Sequence, residues 1–248
     1  MQAVILAGGL GTRQRPTTDR IPKAMIPVAG RPFIDYQLEL LRRNGVRDIV
    51  LCVGHLGELL EDHLKSGAAF GLDIRYSWDG PKLLGPAGAL KRAERLVEER
   101  FFVTYGDAYL RAPYRKLMAA LANSGRLGMM SVFRNEGRFG ASDISVRGGL
   151  VVRYDKQDRT GRLKWINFGL SALTKEALET IPAGHPCGEE EFYGELIKGR
   201  QLAAYEVHQR FYEIGTPASL ADFAAFVARG GNVTLHRTRL FPRTSRSR

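Results

Sequence analysis

The chain has 248 residues, of which 44% are hydrophobic and 25% charged, enough apolar content for one large α/β core or two small ones, and no apolar run reaches membrane-spanning length. Two cysteines, Cys52 and Cys187, and five scattered histidines exclude a disulfide framework and a clustered zinc site. The formal net charge of +11 is concentrated at one end, because six arginines and no acid occur from Arg229 onward, more than half of the excess.

Strand and helix patterns alternate along the body, as a doubly wound, mostly parallel sheet requires. Gln2 to Ala7 is a short apolar run, rich in β-branched residues and ended by glycine, the pattern of a strand buried on both faces. Phe33 to Leu41 has helical periodicity and reaches a turn at Asn44-Gly45. Asp48 to Val53 predicts a second buried strand, Leu56 to Leu64 the helix returning from it, and Ile74 to Trp78 a third strand. A helix is expected over Gly88 to Val97, and then a central strand, Phe101 to Tyr105, delivers Gly106-Asp107 at its carboxyl end. Leu127 to Arg134 predicts a strand, and the glycines in Arg147-Gly148-Gly149 mark a hairpin. Val151 to Tyr154 leads into Asp155-Lys156, and Trp165 to Leu173 is a strand carrying Asn167. Helices are expected at Lys175 to Thr180 and Glu189 to Lys198, and the last begins at Thr216-Pro217, a capping threonine followed by proline in the first turn.

No internal repeat or linker divides the chain before Arg229, so residues 1–228 read as one domain and residues 229–248 as a basic extension. Gly230-Gly231-Asn232 breaks the last helical pattern, and Arg243 to Arg248 has too little apolar content to fold, so the extension is expected to be disordered. Electrostatic contact with an acidic partner is its functional alternative. Nucleic acid is not the expected partner, since no aromatic is interleaved with the terminal arginines, as a stacking single-strand binder would want.

The most informative run is Leu6-Ala7-Gly8-Gly9-Leu10-Gly11-Thr12-Arg13, followed by Pro22-Lys23. It places a glycine loop at the carboxyl end of a buried strand, where open α/β sheets bind ligands. Gly8, Gly9 and Gly11 lack Cβ and can take positive φ, so several N–H groups can converge on one closely approaching phosphate. Arg13 adds a planar fork of donors and Lys23 a compact charge, both suited to charge developing on a pentavalent phosphorus. A dinucleotide fingerprint would need glycine where Gln14 stands and an acid after the next strand, which ends Cys52-Val53-Gly54-His55. A P-loop would need Gly-Lys-Ser/Thr, whereas Gly11 is followed by Thr12-Arg13. The bland alternative is a glycine turn beside two surface cations; Arg13 and Pro22-Lys23 together favour phosphate chemistry.

From Met1 to about Arg229 the chain resembles the sugar-1-phosphate nucleotidyltransferase family in six motifs in register. The glycine loop with Pro22-Lys23 resembles the family's signature, Leu84-Gly85-Pro86-Ala87-Gly88-Ala89-Leu90 its base-proximal turn, and Gly106-Asp107 its metal-binding aspartate. Asp155-Lys156 is similar to its sugar-phosphate contact, Asn167-Phe168-Gly169 to a sugar-binding element, and Glu213-Ile214-Gly215-Thr216-Pro217 to its second metal site. The resemblance implies a Rossmann-like α/β fold, a doubly wound, mostly parallel sheet with a small sugar-binding β insertion. It also implies direct transfer: the sugar 1-phosphate attacks the NTP α-phosphorus in line, giving an NDP-sugar and pyrophosphate.

Under this resemblance Arg13 and Lys23 are catalytic, while Leu6, Ala7, Gly8, Gly9, Gly11, Thr12 and Gly88 bind the nucleotide. Gly106, Asp155, Lys156 and Asn167 hold the sugar phosphate, and Asp107 and Glu213 ligate Mg²⁺. Glu213 stands where many relatives have aspartate, Asp155-Lys156-Gln157 where they commonly read Glu-Lys-Pro, and Gln14, Thr17 and Pro86 also depart from the usual pattern. A surface ion pair is the competing role for Glu213, simple solvation for Lys156, and strand-end hydrogen bonding for Asn167. The Leu-Gly-x-Ala-Gly-Ala form resembles mannose and heptose 1-phosphate guanylyltransferases, which puts GTP first and uridylyl transfer second. A non-catalytic, nucleotide-sugar-sensing regulatory subunit is the alternative from another class. The expected partners are an NTP and a sugar 1-phosphate, with no membrane and with a homo-oligomer left open, in a cytoplasmic setting.

Overall fold

The structure, a computed structural model, describes residues 1–231, and the extension expected from Arg229 onward lies, past residue 231, outside the described residues. β1 (Gln2–Leu6) runs through the glycine loop to two short strands, β2 (Pro27–Val28) and β3 (Arg31–Pro32), which pair antiparallel. α1 (Phe33–Arg43), β4 (Asp48–Val53), α2 (Gly57–Leu64), β5 (Asp73–Trp78), α3 (Gly85–Arg92) and β6 (Arg100–Tyr105) complete an alternating half. The other half comprises β7 (Ala108–Leu110), α4 (Tyr114–Ser124), β8 (Gly128–Arg134), β9 (Ile144–Arg147), β10 (Leu150–Tyr154) and β11 (Trp165–Thr174). It continues with α5 (Glu189–Lys198), β12 (Leu202–Val207), β13 (Phe211–Glu213) and α6 (Pro217–Ala228).

The main sheet has the strand order β5-β4-β1-β6-β11-β8-β12-β10-β9. β1 is parallel to β4 and β6, and β4 to β5. β11 runs antiparallel to both β6 and β8, whereas β8 and β12 are parallel. The fold is therefore α/β with a mixed sheet, parallel from β5 to β6, with β11 reversed in its middle and the β9–β10 hairpin, antiparallel to β12, at one edge. Gly148 and Gly149 both have positive φ, 56° and 74°, which is what a tight hairpin turn with matching twist requires.

Strand residues alternate between two helical layers, the period-two consequence of pleating. Ala3 and Ile5 of β1, with Ile49, Leu51 and Val53 of β4, face Ile34, Leu38 and Leu41 of α1 and Leu60 of α2. Val4, Val50 and Val103 face the other way, against Ala89 and Leu90 of α3 and Phe192 and Leu196 of α5. Burial on both faces explains the near-continuous apolar runs of β1 and β4.

A third cluster anchors the end of the chain to this frame. Phe223 and Phe226 of α6 pack on Phe33, Tyr36 and Tyr212, with ring centroids 4.9 Å apart for Phe33–Phe223 and 4.3 Å for Tyr212–Phe226. α6 begins with the expected cap: Thr216 Oγ1 accepts the Ser219 N–H at 3.1 Å, and Ser219 Oγ accepts the Thr216 N–H at 2.9 Å. This packing fixes β13, and with it the Glu213–Gly215 turn, beside the glycine loop.

Several elements differ from expectation. The helix expected from Gly88 to Val97 is Gly85–Arg92, because the Ala87 and Gly88 N–H groups donate to the Cys187 carbonyl at 3.1 and 3.3 Å, satisfying an earlier first turn. Lys175–Thr180 is a 3₁₀ helix. α4 was not expected; its buried residues are only Tyr114, Leu117 and Leu121, a sparse stripe. β12 carries two alanines, poor strand formers that become strand through parallel pairing with β8. Among the described residues no helix is long and apolar enough to cross a membrane.

Candidate active site

A cavity of about 340 Å³ opens where the glycine loop leaves β1. Ten of the sequence-derived site residues line it: Leu6, Ala7, Gly8, Gly9, Gly11, Thr12, Arg13, Lys23, Gly106 and Asp107. Gly11 and Gly8 are needed for different reasons. Gly11 has φ 61°, and its carbonyl accepts the Thr18 hydroxyl at 3.0 Å, which locks the turn from a buried threonine. A Cβ on Gly8 would lie 3.1 Å from Gly54 N and 3.2 Å from Asp79 Oδ2, so this glycine permits close approach of neighbouring strand ends. Gly9 has nothing within 4 Å of its Cβ position, and its backbone stands open.

Lys23 opens a short 3₁₀ turn directly after the extended Pro22, and its ammonium forms an ion pair with the Asp107 carboxylate. Asp107 lies between β6 and β7, so strand and loop bring the two charges together across the cavity wall. Glu213 does not line the cavity, but it pairs with Ala108 in the β7–β13 ladder, and the Ile214 N–H donates to the Asp107 carbonyl at 3.0 Å. Of the two acids expected to bind metal, Glu213 thus ends β13 while Asp107 stands in the turn just before its partner strand β7. The Glu213 carboxylate accepts the Gly215 N–H. Arg13 reaches the same turn: a Cβ on Gly215 would lie 3.3 Å from its Nη2. Gln14, buried, donates from Nε2 to the Ile214 carbonyl at 2.8 Å and ties the glycine loop to the Glu213–Gly215 segment.

Gly88 is turned elsewhere. A Cβ there would lie 2.9 Å from the His185 carbonyl, so it lets α3 pack against the backbone of residues 185–187.

A second polar cluster adjoins the cavity. The Asn167 Nδ2 donates to the Tyr154 hydroxyl at 3.4 Å, its Oδ1 accepts the Gly169 N–H at 2.9 Å, and its own N–H donates to Asp143 Oδ1 at 3.0 Å. The register of β11 against β8 shifts between Asn167 and Ser171, a bulge that re-aims this stretch. Lys156 forms an ion pair with Glu189, whose Oε1 also accepts the Tyr154 hydroxyl at 2.8 Å. Asp155 is turned away from the cluster: its carboxylate takes Arg153 Nη2 at 3.0 Å and the Gln157 N–H at 2.9 Å, contacts that hold its pKa below the usual carboxylate range.

Desolvation dominates inside this cluster. Burial pushes Glu189 up to about 7, with the neighbouring Glu190 charge adding to it, and pushes Asp143 up to about 6 against the opposing Asn167 N–H and the Lys156 charge. Burial also lowers Lys156 from the ordinary lysine value, opposed by Asp143 and Glu190. Tyr105 joins the two regions: it lines the cavity, and its hydroxyl donates to Glu189.

The model of the family described as "Nucleotidyl transferase" matches residues 2–229. The chain belongs to the nucleotidyl transferase family. Over 224 residues it is 28% identical to the D-glycero-alpha-D-manno-heptose 1-phosphate guanylyltransferase of Campylobacter jejuni, covering 90% of this chain and 98% of that protein. It is 41% identical over 121 residues to the UTP--glucose-1-phosphate uridylyltransferase of Synechocystis, a match that covers 44% of this chain and only 31% of that one. The solved structure of HddC from Yersinia pseudotuberculosis complexed with GMP-PN superposes with a TM-score of 0.75 at 26% identity, covering 91% of this chain and 99% of that one.

In this nucleotidyltransferase, sequence reasoning missed Asp79, Leu83, Tyr105, Asp143 and Glu189. Glu189 stands in the run Glu189-Glu190-Glu191, which reads as acids in the first turn of a helix, and α5 does begin there. Only the fold shows that the first of them points into a polar cluster. Asp79 and Tyr105 carried a weak signal, each standing at or just past the carboxyl end of a strand expected to be parallel.

Proposed function

We propose that this nucleotidyltransferase joins GTP to a mannose- or heptose-type sugar 1-phosphate, releasing pyrophosphate and an NDP-sugar. The observation that carries the reading is the junction at Tyr105 of two differently built regions: a glycine-lined cavity holding Arg13, Lys23 and Asp107, and a cluster of the buried Glu189, the half-buried Asp143 and Asn167 and the more exposed Lys156, suited to sugar hydroxyls and a phosphate. The guanylyltransferase relative matched along nearly its whole length supports GTP and a heptose-type sugar; the shorter uridylyltransferase match keeps UTP as the second reading. A cytoplasmic setting, where both substrates are available, accompanies it.

A phosphate oxygen of the sugar 1-phosphate attacks the α-phosphorus as the bond to the bridging oxygen breaks, and pyrophosphate carries away the leaving charge. Gly8, Gly9 and Gly11 amides hold the triphosphate, Arg13 faces the leaving phosphates, and Lys23 the α-phosphate, where charge accumulates in the transition state. Lys156 and Asn167 orient the sugar phosphate, with Glu189 as an acceptor for hydroxyls.

Asp107, in the turn before β7, and Glu213, at the end of β13, are the residues that would hold a Mg²⁺ ion, a cation that usually combines one or two carboxylates with substrate phosphates and water. When bound, Mg²⁺ would neutralise phosphate charge and help align the triphosphate. Without substrate, Lys23 and Asp107 neutralise each other; a bound polyanion gives the ammonium a new partner and releases the carboxylate for the cation.

Pyrophosphate release measured across a matrix of GTP, UTP, dTTP and CTP with mannose, heptose and glucose 1-phosphates tests the proposal. GTP paired with a manno-configured sugar phosphate is expected to turn over fastest. Fastest release from UTP with glucose 1-phosphate would favour the second reading, and none from any pair a regulatory subunit.

A further inference from the structure

Gln37 stands in the middle of α1 in an unbroken run of buried residues, Phe33 to Leu41, and is itself 2% exposed. A polar amide in such a place must find partners, because an apolar environment penalises every donor left unpaired. Gln37 finds them on one stretch of backbone: its Nε2 donates to the Tyr105 carbonyl at 2.7 Å and to the Ala108 carbonyl at 2.9 Å. Both amide hydrogens are thereby spent on the turn between β6 and β7, one on each side of Gly106-Asp107. The opposite orientation of the amide would turn its oxygen toward two carbonyl oxygens, so the surroundings fix which end donates. Among the described residues Gln37 Oε1 has no hydrogen-bond partner, so the helix carries a buried acceptor that leucine or methionine would not bring.

The other ties of that turn come from its neighbours in the sheet. The Gly106 N–H donates to the Leu6 carbonyl at 2.9 Å, and the Ile214 N–H to the Asp107 carbonyl at 3.0 Å. A Cβ on Gly106 would lie 2.9 Å from Ala7 Cβ, so the turn is pressed against the start of the glycine loop. α1 also holds the segment that follows the opposing charge: the Tyr36 hydroxyl donates to the Val28 carbonyl at 2.8 Å, and the Phe33 N–H to the Ile26 carbonyl at 3.1 Å. One helix thus braces the backbone next to both Lys23 and Asp107, whose side chains pair at the cavity wall.

We propose that Gln37 is a positioning residue for the turn that carries Asp107, its two hydrogen bonds fixing the backbone on either side so that the carboxylate is presented to a cation. The inference rests on the reading of Asp107 as a Mg²⁺ ligand and deepens it to what holds that ligand in place. The demand is geometric. Mg²⁺ takes oxygen donors close to octahedral positions at about 2.0–2.1 Å, so a turn free to shift by a fraction of an ångström presents its carboxylate badly. Gln37 does not line the cavity, and it acts only through the two carbonyls it holds.

Titration calorimetry of the full chain with GTP, and in parallel with UTP, each in EDTA and in Mg²⁺, tests this without a sugar substrate. The quantity read is the Mg²⁺-dependent gain in nucleotide affinity. Gln37→Met, which fills similar space without a donor, should keep the EDTA affinity of the wild type and lose roughly tenfold or more of the gain, as for other partners that orient a metal ligand. Gln37→Glu, of the same shape, turns acceptors toward the two carbonyls and should lose at least as much. Asp107→Asn marks the full loss. An undiminished gain in a folded Gln37→Met protein, beside a lost one in Asp107→Asn, would overturn the assignment and leave the metal reading intact. A gain retained by Asp107→Asn, or absent from the wild type, would overturn the metal reading and the assignment with it. Equal losses in EDTA and in Mg²⁺, or failure of both Gln37 variants to fold by circular dichroism, would make Gln37 a general structural residue and overturn the assignment as well.

Discussion

Replacing Lys23 by alanine separates its catalytic role from its structural one. The Lys23 and Asp107 side chains are 16% and 26% exposed, so their ion pair is partly shielded but still wetted. Breaking it should cost about 1 kcal/mol of stability, near the upper end for accessible pairs, and a Tm shift of only a few degrees. The loss in the reaction should be larger, because a fixed donor aimed at a developing phosphoryl charge contributes about 2.7–4 kcal/mol, or roughly a hundred- to a thousandfold in kcat. The assay is steady-state pyrophosphate release at saturating substrates, beside a thermal melt of the same preparation. Asp107→Asn serves as the control: it also breaks the pair but keeps the ammonium, and the deficit it causes should shrink as Mg²⁺ is raised, whereas that of Lys23→Ala should not. A folded Lys23→Ala protein with kcat within a few-fold of wild type would remove Lys23 from the chemistry.

Gln14→Leu removes the tie between the glycine loop and the Ile214 carbonyl; leaving that carbonyl unpaired should cost about 1–3 kcal/mol in stability. Because the same tie holds Arg13 beside the Glu213 turn, KM for the NTP should rise as well, and an unchanged KM would show that the loop holds its shape without it. Glu189 has a folded pKa of about 7, above its ordinary value of 4.5, so the folded state binds the proton more tightly than the unfolded chain between those limits. Stability contributed by this group is therefore full at low pH and is lost as pH rises through about 7. Melting temperatures of wild type measured from pH 5 to 8 should fall relative to those of Glu189→Gln, and parallel curves would contradict the assignment.

The alternating half of the fold was legible because β1, β4 and β6 are buried on both faces and so are nearly continuously apolar. Asp48–Val53 matched the expected strand, and Glu189–Lys198 the expected helix. α4 was not legible, since a stripe of Tyr114, Leu117 and Leu121 among polar and small residues does not announce a buried face. The phosphate half of the candidate site was readable for a related reason: Gly8 to Arg13 and Lys23 are close in sequence, so their chemistry shows as a motif. Asp79, Tyr105 and Glu189 come from three separate elements, and their meeting depends on strand order. Gly88 illustrates the opposite case, a motif glycine whose close contact is with His185 on a distant loop.

Nucleotidyl transfer within this cavity is the central claim. The most direct measurement follows the α-phosphorus: GTP labelled at the α-position is incubated with the protein, Mg²⁺ and mannose or heptose 1-phosphate, and the products are separated. Direct in-line transfer predicts that the label appears in the NDP-sugar in amounts equal to the pyrophosphate released, and that Lys23→Ala slows both by the same factor. Label recovered in free GMP or GDP, or left entirely in GTP with every sugar phosphate supplied, would contradict it.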